Sequence, residues 1–215
     1  SASRLHSQAN VRMTPEQAVE QVRAVCRLRE GLPARSRPGV EVGIATAFGC
    51  AMEGRVDEGW VIRLAAACAE AGADGVGLSD SAGCGNPAAV RRLFSALRRA
   101  LGAKAGGAHF HDTRGQGLAN VVAALDVGVT TFDASQGGLG GCPYAPGAAG
   151  NVVTEDLVFL LESMGLRTGV DLDRLVAARA MVLEGLPGEP LRGHVAEAGP
   201  PRGFVPATPR PGAAP

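Results

Sequence analysis

The chain has 215 residues, 21 basic and 21 acidic side chains, a formal net charge of zero, 46% hydrophobic residues and 20% charged residues. That length supports one sizeable core and at most two domains, and the balance is that of a globular protein. Neutral charge gives no electrostatic case for nucleic acid or an anionic membrane as partner, and every apolar run is interrupted by Arg, Asp or Glu before it could span a bilayer.

The first residues, SASRLHSQANVRM, lack the charged-then-apolar order of a secretion signal. Thr14-Pro15-Glu16-Gln17 is the first helix signal: a capping threonine, a proline suited to the first helical position, and a glutamine able to close a capping box. The helix is predicted to run to about Glu30 and stop at Gly31, before a loop over 31–39. Val40–Phe48 has the β-branched content of a buried strand. A helix follows over Glu58–Ala71, with Val61, Ile62, Ala65 and Cys68 on one face, and then a strand over Asp74–Asp80. Asn86-Pro87 reads as a cap and first-turn proline, leading a helix that carries Val90, Leu93, Phe94 and Leu97 at helical spacing.

The alternation continues. A strand over Lys104–His111 precedes a helix over Gly117–Val127 with Leu118, Val121, Val122 and Leu125 inward, and a strand over Val129–Ser135 follows. A glycine-rich loop covers 136–150, Asn151–Met164 is a helix, and Asp171 caps another helix reaching Glu184. Residues 1–185 form the folded domain in this reading. Eight of the fourteen prolines fall in 187–215, so 186–215 is expected to be a largely disordered tail.

Helices alternating with four strand candidates imply an α/β fold with parallel strands and crossover helices. An open doubly wound sheet and part of a (β/α)8 barrel compete. The polar residues favour the barrel, because Asp80, then His109 and His111, then Asp133 and Ser135 stand at the C-terminal ends of successive strands, where barrel enzymes build their sites. The five cysteines (Cys26, Cys50, Cys68, Cys84, Cys142) are odd in number and contain no CxxC pair, which fits a reducing cytoplasm better than a disulfide framework.

His109-Phe110-His111 is the strongest local signal for chemistry. Residues two apart on a strand point to one side, so both imidazoles can reach one metal ion; two strand-end histidines bonded to ordinary neighbours are the bland alternative. The loop Gly137-Gly138-Leu139-Gly140-Gly141-Cys142 places a cysteine on a segment free to swing, as loops that close over active sites do. A phosphate cradle lacks support there, because no Lys-Ser/Thr pair follows the glycines. Asn151 is either the N-cap of its helix or a metal ligand through its side-chain oxygen. Asp80 is a proton-transfer carboxylate, a support for a metal ligand, or the cap of the turn that follows it. Cys50, after Gly49 at a strand end, is placed to face the site, whereas His6 and His194 lie in polar stretches and are expected to be solvated.

Together these segments resemble hydroxymethylglutaryl-CoA lyases. The resemblance is carried by residues 109–165, from HFHDTRGQG through GGLGGCPYAPGAAGN, with support from GCAMEGRV (49–56), GLSDSAGCGNP (77–87) and TGVDLDRL (168–175), and it covers roughly 1–185. It implies a partial (β/α)8 barrel, about strands five to eight with their helices. The implied reaction is cleavage of 3-hydroxy-3-methylglutaryl-CoA to acetyl-CoA and acetoacetate, as in leucine degradation. The resemblance further implies a divalent cation, Mg2+ or Mn2+, held by His109, His111 and Asn151. Cys142, Asp80 and His109 match catalytic positions, and Glu155 and Cys50 are candidates to support the site. Two neutral nitrogens and an amide oxygen without thiolate suit a hard or borderline ion. An acyl-CoA is the implied substrate partner, and self-association is common in the family.

The chain departs from the family pattern in three ways. No segment matches the first strand with its Arg-Asp pair, an early catalytic Glu has no counterpart, and Gln136 stands where a small or apolar residue is usual. The expectation from these departures is a fragment, or one part of an assembly with an N-terminal half, with little activity by itself. A related acyl-CoA lyase or synthase and a non-catalytic fragment are the competing readings.

Overall fold

A computed structural model describes residues 1–141, 143, 144, 147 and 150–208. They divide into two compact units, one of 1–133 with the described residues of 141–149, the other of 134–140 with 150–208.

The first unit is an α/β layer built as the sequence implies. Helix α1 (Arg4–Val11) and α2 (Pro15–Glu30) precede strand β1 (Glu41–Ile44). The crossovers that follow are α3 (Glu58–Glu70) to β2 (Gly75–Asp80), α4 (Pro87–Leu101) to β3 (Ala105–Phe110), and α5 (Gly117–Asp126) to the short β4 (Phe132–Asp133). The sheet has the order β1-β2-β3-β4, and every pairing is parallel. The capping box at Thr14 forms in both directions, Gln17 N donating to Thr14 Oγ1 and Thr14 N to Gln17 Oε1 at 2.9 Å. Asn86 caps α4 by accepting from Ala89 N. Helix α1 was not expected. Its polar sequence offers little periodicity, and its clearest signal is Ser3, whose hydroxyl accepts from His6 N.

Strand register sorts the sheet into two faces. Ile44, Leu78 and Ala108 lie side by side and are almost fully buried under the helices. Phe94 of α4 and Phe110 of β3 meet beneath them at a centroid separation of 6.3 Å, with Phe48 completing the cluster. The other face carries Gly43 beside Gly77, and Ser79 beside His109 beside Asp133. Phe94 is fully buried, so Phe94→Ala is expected to destabilise this unit by about 3–5 kcal/mol through lost transfer energy and the cavity left behind. A urea midpoint unchanged by the substitution would contradict this.

In α5 the buried positions are Gly117, Asn120, Val121, Ala123 and Ala124. Leu118, Val122 and Leu125 are only partly covered. The helix is turned relative to the predicted face because Asn120 is drawn inward, where its Nδ2 donates to Gly85 O.

The second unit holds α6 (Thr154–Ser163), α7 (Leu172–Ala177), α8 (Arg179–Gly185) and α9 (His194–Ala198). Asp171 caps α7 as expected, but the single helix predicted to Glu184 is divided at Ala178. The expected disorder of 186–215 does not hold over the described part, 186–208. Val195 is buried with Val158 and Leu172, and Phe204 packs on this group with its ring 5.0 Å from Phe159. Proline and glycine content concealed those few well-placed apolar side chains. Thr208 is tied in as well, donating its amide and hydroxyl to Glu162, which also accepts from the Thr168 amide and hydroxyl.

Burial pushes the Glu162 carboxyl up, but these four donors outweigh it and hold the group down to about 2, from an ordinary value of 4.5. A depressed carboxyl contributes stability that is complete above the unfolded value and is lost as pH falls toward the folded one. The second unit is therefore expected to lose stability between about pH 4.5 and 2, and Glu162→Gln to flatten that limb. Identical melting-temperature profiles for the two proteins across this range would refute the assignment.

Candidate active site

His109 stands near the end of β3 and His111 directly follows it, and the alternation of extended side chains sends both to the sheet face opposite the aromatic core. Their rings lie 5.2 Å apart, inclined at 59°. The His109 side chain is 28% exposed, with Nδ1 3.6 Å from Asp133 Oδ2. It opens onto a concavity of about 230 Å³ lined by Gly43, Gly77, Gly107, Ser79 and Asp133 among others. Gly77 is required by close backbone approach, since a Cβ there would fall 2.4 Å from Gly107 O.

His111 is buried, and burial first, then the neighbouring His109, lowers its pKa to about 4. The ring is therefore neutral at pH 7, with a lone pair free to coordinate. Its Nδ1 is buried and has no hydrogen-bond partner among the described residues.

Asn151 is positioned differently from its helix-cap reading. Helix α6 begins at Thr154 with Val153 before it and no side-chain cap. The Asn151 side chain instead reaches the glycine-rich loop, Nδ2 donating to Leu139 O at 2.7 Å. Oδ1 is buried and has no hydrogen-bond partner among the described residues. Gly140 sits at φ +91°, and a Cβ there would fall 2.9 Å from Asn151 Nδ2, so this close approach requires glycine.

Asp80 follows its capping alternative. It pairs in register with Phe110, on the helix-covered face and opposite to His109. Its two carboxylate oxygens accept from Cys84 N and Gly85 N, both at 2.8 Å. Burial raises its pKa, against the pull of those two amides. Arg114 ties down the same turn by donating to Ala82 O and Gly83 O at 2.9 Å.

Cys50 is a buried thiol, not an open one. It is buried in a tight antiparallel bridge with Gly54, and its sulfur accepts from Met52 N. Glu155, a candidate support for the site, is bonded to the loop base and to Arg179. It is fully buried, paired with Arg179 Nη1 at 2.6 Å, and accepts from Gly137 N. Arg179 gave no signal in the sequence, being one arginine on an otherwise ordinary helix.

His6 is buried rather than solvated, with its ring edge-on to Tyr144 and Nδ1 3.0 Å from Ser1 Oγ. His194 is exposed as expected, with Asp156 beside its ring. Cys142 lies outside the described residues. Among the described residues no three or more His, Cys, Asp or Glu side chains cluster as a metal site. The described cysteines, Cys26, Cys50, Cys68 and Cys84, are free thiols, and no described helix is long and apolar enough to cross a membrane.

A parallel α/β sheet with polar side chains at the C-terminal ends of adjacent strands defines a class of enzyme-bearing folds, with neighbours among (β/α)8-barrel lyases. Within that class the chain belongs to the HMGL-like family, whose model matches residues 1–182. It is 40% identical over 191 residues to hydroxymethylglutaryl-CoA lyase YngG of Bacillus subtilis, covering 89% of this chain and 62% of that protein. It is 41% identical over 172 residues to the hydroxymethylglutaryl-CoA lyase of Pseudomonas mevalonii, covering 80% of this chain and 56% of that protein. An HMG-CoA lyase from Acinetobacter baumannii, solved with coenzyme A and 3-methylmalate, superposes with a TM-score of 0.85 at 38% identity over 95% of this chain and 65% of that one. The chain thus spans somewhat under two thirds of the length of these relatives.

Proposed function

We propose that this chain carries part of the active site of a hydroxymethylglutaryl-CoA lyase, and that its four-stranded sheet is an arc of a (β/α)8 barrel. Support comes from the likeness to named lyases, and above all from two buried polar atoms without a hydrogen-bond partner among the described residues, His111 Nδ1 and Asn151 Oδ1. An unpaired buried polar atom is costly unless something satisfies it.

The family resemblance implies a divalent cation, Mg2+ or Mn2+, held by His109, His111 and Asn151, and neutral imidazoles with an amide oxygen, without thiolate, are donors that suit such an ion. Such an ion, when bound, would polarise the substrate's tertiary hydroxyl and a neighbouring oxygen. The chain's own groups supply the rest. His109, which opens onto the concavity beside Asp133, is placed either to ligate the ion or, when it does not, to take the hydroxyl proton, since a neutral imidazole offers one lone pair. As the carbon–carbon bond breaks, acetoacetate forms and the thioester enolate of acetyl-CoA accepts a proton, for which Cys142 is the proposed donor. Asp80 acts through the turn it caps, fixing the rim beside β3. The free thiols fit a cytoplasmic setting.

The test is acetoacetate release from 3-hydroxy-3-methylglutaryl-CoA with Mn2+. It is run on the chain alone and with the remaining segment of the Bacillus relative supplied in trans. Cys142→Ser is expected to keep Mn2+ and lose turnover. Undiminished turnover would remove Cys142 from the mechanism. Cleavage of a different 3-hydroxyacyl-CoA in place of this one would overturn the substrate.

A further inference from the structure

The match to the family model ends at residue 182, yet the segment beyond it is joined to the base of the glycine-rich loop. Four groups make a closed circuit of hydrogen bonds. Gly137 N donates to both oxygens of Glu155, at 3.2 and 3.0 Å. Arg179 Nη1 donates to Glu155 at 2.6 Å and to Arg192 O at 2.8 Å. Arg192 N returns to Gly137 O at 2.8 Å. Leu191 covers the same glycine closely: at φ +62° a Cβ on Gly137 would fall 2.8 Å from Leu191 Cδ2. Gln136, one residue earlier, donates through Nε2 to Leu175 O at 2.8 Å, so the loop base is anchored on a second side.

These contacts bear on Asn151 through one carbonyl. Leu139 O accepts from Ser135 Oγ and from Asn151 Nδ2. Gly138 lies against the Asn151 backbone, where a Cβ would come within 3.1 Å of Asn151 O. The position of 137–139 therefore fixes where Leu139 O stands. That carbonyl fixes which way the Asn151 amide is turned, leaving Oδ1 as the unpartnered atom.

We propose that Leu191–Gly193, with Arg179, is a positioning strap that holds the loop base so that Asn151 presents its side-chain oxygen to the cation. The ligand role of Asn151 belongs to the functional reading above; the strap itself stands on the hydrogen-bond circuit. The strap acts on Asn151 through Gly137 and Leu139. Its effect is to pre-set a ligand's orientation, which is how outlying contacts tune metal sites.

Mn2+ affinity, measured by electron paramagnetic resonance, and amide hydrogen exchange over 135–141 test this together. Leu191→Ala and Arg179→Met are each expected to weaken Mn2+ binding by about 10-fold and to speed exchange at Gly137. Arg179→Lys, which keeps a cation able to bridge Glu155 and Arg192 O, is expected to recover most of the affinity. Arg179→Met can unfold the unit, and Leu191→Ala then carries the test, since it removes no charge. Unchanged Mn2+ affinity in Leu191→Ala, with folding intact, would overturn the strap. If the unaltered protein takes up no Mn2+, the ligand reading fails separately. Exchange then decides whether the strap exists: faster exchange at Gly137 in Leu191→Ala supports it, and unchanged exchange overturns it.

Discussion

His111→Ala is expected to lower the affinity for Mn2+ by roughly 100-fold or more, the upper end of what losing even an outlying partner of a metal ligand costs, with little loss of fold stability. Two observations separate these effects. The His111 ring is buried and held neutral, with a pKa lowered to about 4 by burial and then by His109. Its Nδ1 makes no hydrogen bond among the described residues. Alanine therefore removes no protein–protein hydrogen bond at that atom, and it relieves the cost of an unsatisfied polar group. An ordinary buried histidine behaves in the opposite way, since its removal strands a partner and destabilises the fold. Titration of Mn2+ into the variant, beside its urea midpoint, distinguishes the two. A large loss of stability with unchanged Mn2+ binding would make the histidine pair structural. His109→Ala is expected to weaken binding too, with a further loss of turnover from its place beside Asp133.

The paired histidines were legible because a strand has a period of two, and no tertiary information is needed to put residues 109 and 111 on one side. Helix starts were legible for the same local reason. Thr14 with Gln17, Asn86 with Pro87, and Asp171 each carry a cap and its partner within a few residues. Long-range pairing was not. Nothing near Glu155 in sequence announces Arg179, and nothing near Gly137 announces Arg192. Asp80 shows how a correct position misleads: it ends its strand as expected, but register with Phe110 turns it to the helix-covered face. Asn151 shows the reverse. An asparagine at a helix start is usually a cap, and here the loop carbonyl of Leu139 takes its amide instead. The tail was misjudged by composition, which averages over Val195 and Phe204 although a small core needs only such residues at the right places.

Arg179→Met is expected to cost about 3–5 kcal/mol of stability in the second unit, since removing one partner of a buried ion pair strands the other. Glu155 is fully buried, while the Arg179 side chain is 13% exposed. The carboxylate is thus the more deeply enclosed partner, and losing the arginine leaves it, among the described residues, with the Gly137 amide alone. Charge, more than lost packing, drives the cost, and a second substitution separates the two. Glu155→Gln in the Arg179→Met background removes the stranded charge and is expected to recover a large part of the loss, because an apolar or neutral pair of similar volume is often as stable as the ion pair it replaces. Full additivity of the two single substitutions would show that the groups do not depend on each other, contrary to the 2.6 Å contact. A stable Arg179→Met protein would mean that the circuit through Gly137 and Arg192 closes without its cation. In that case the base of the glycine-rich loop would be fixed chiefly by Leu191 and Gln136.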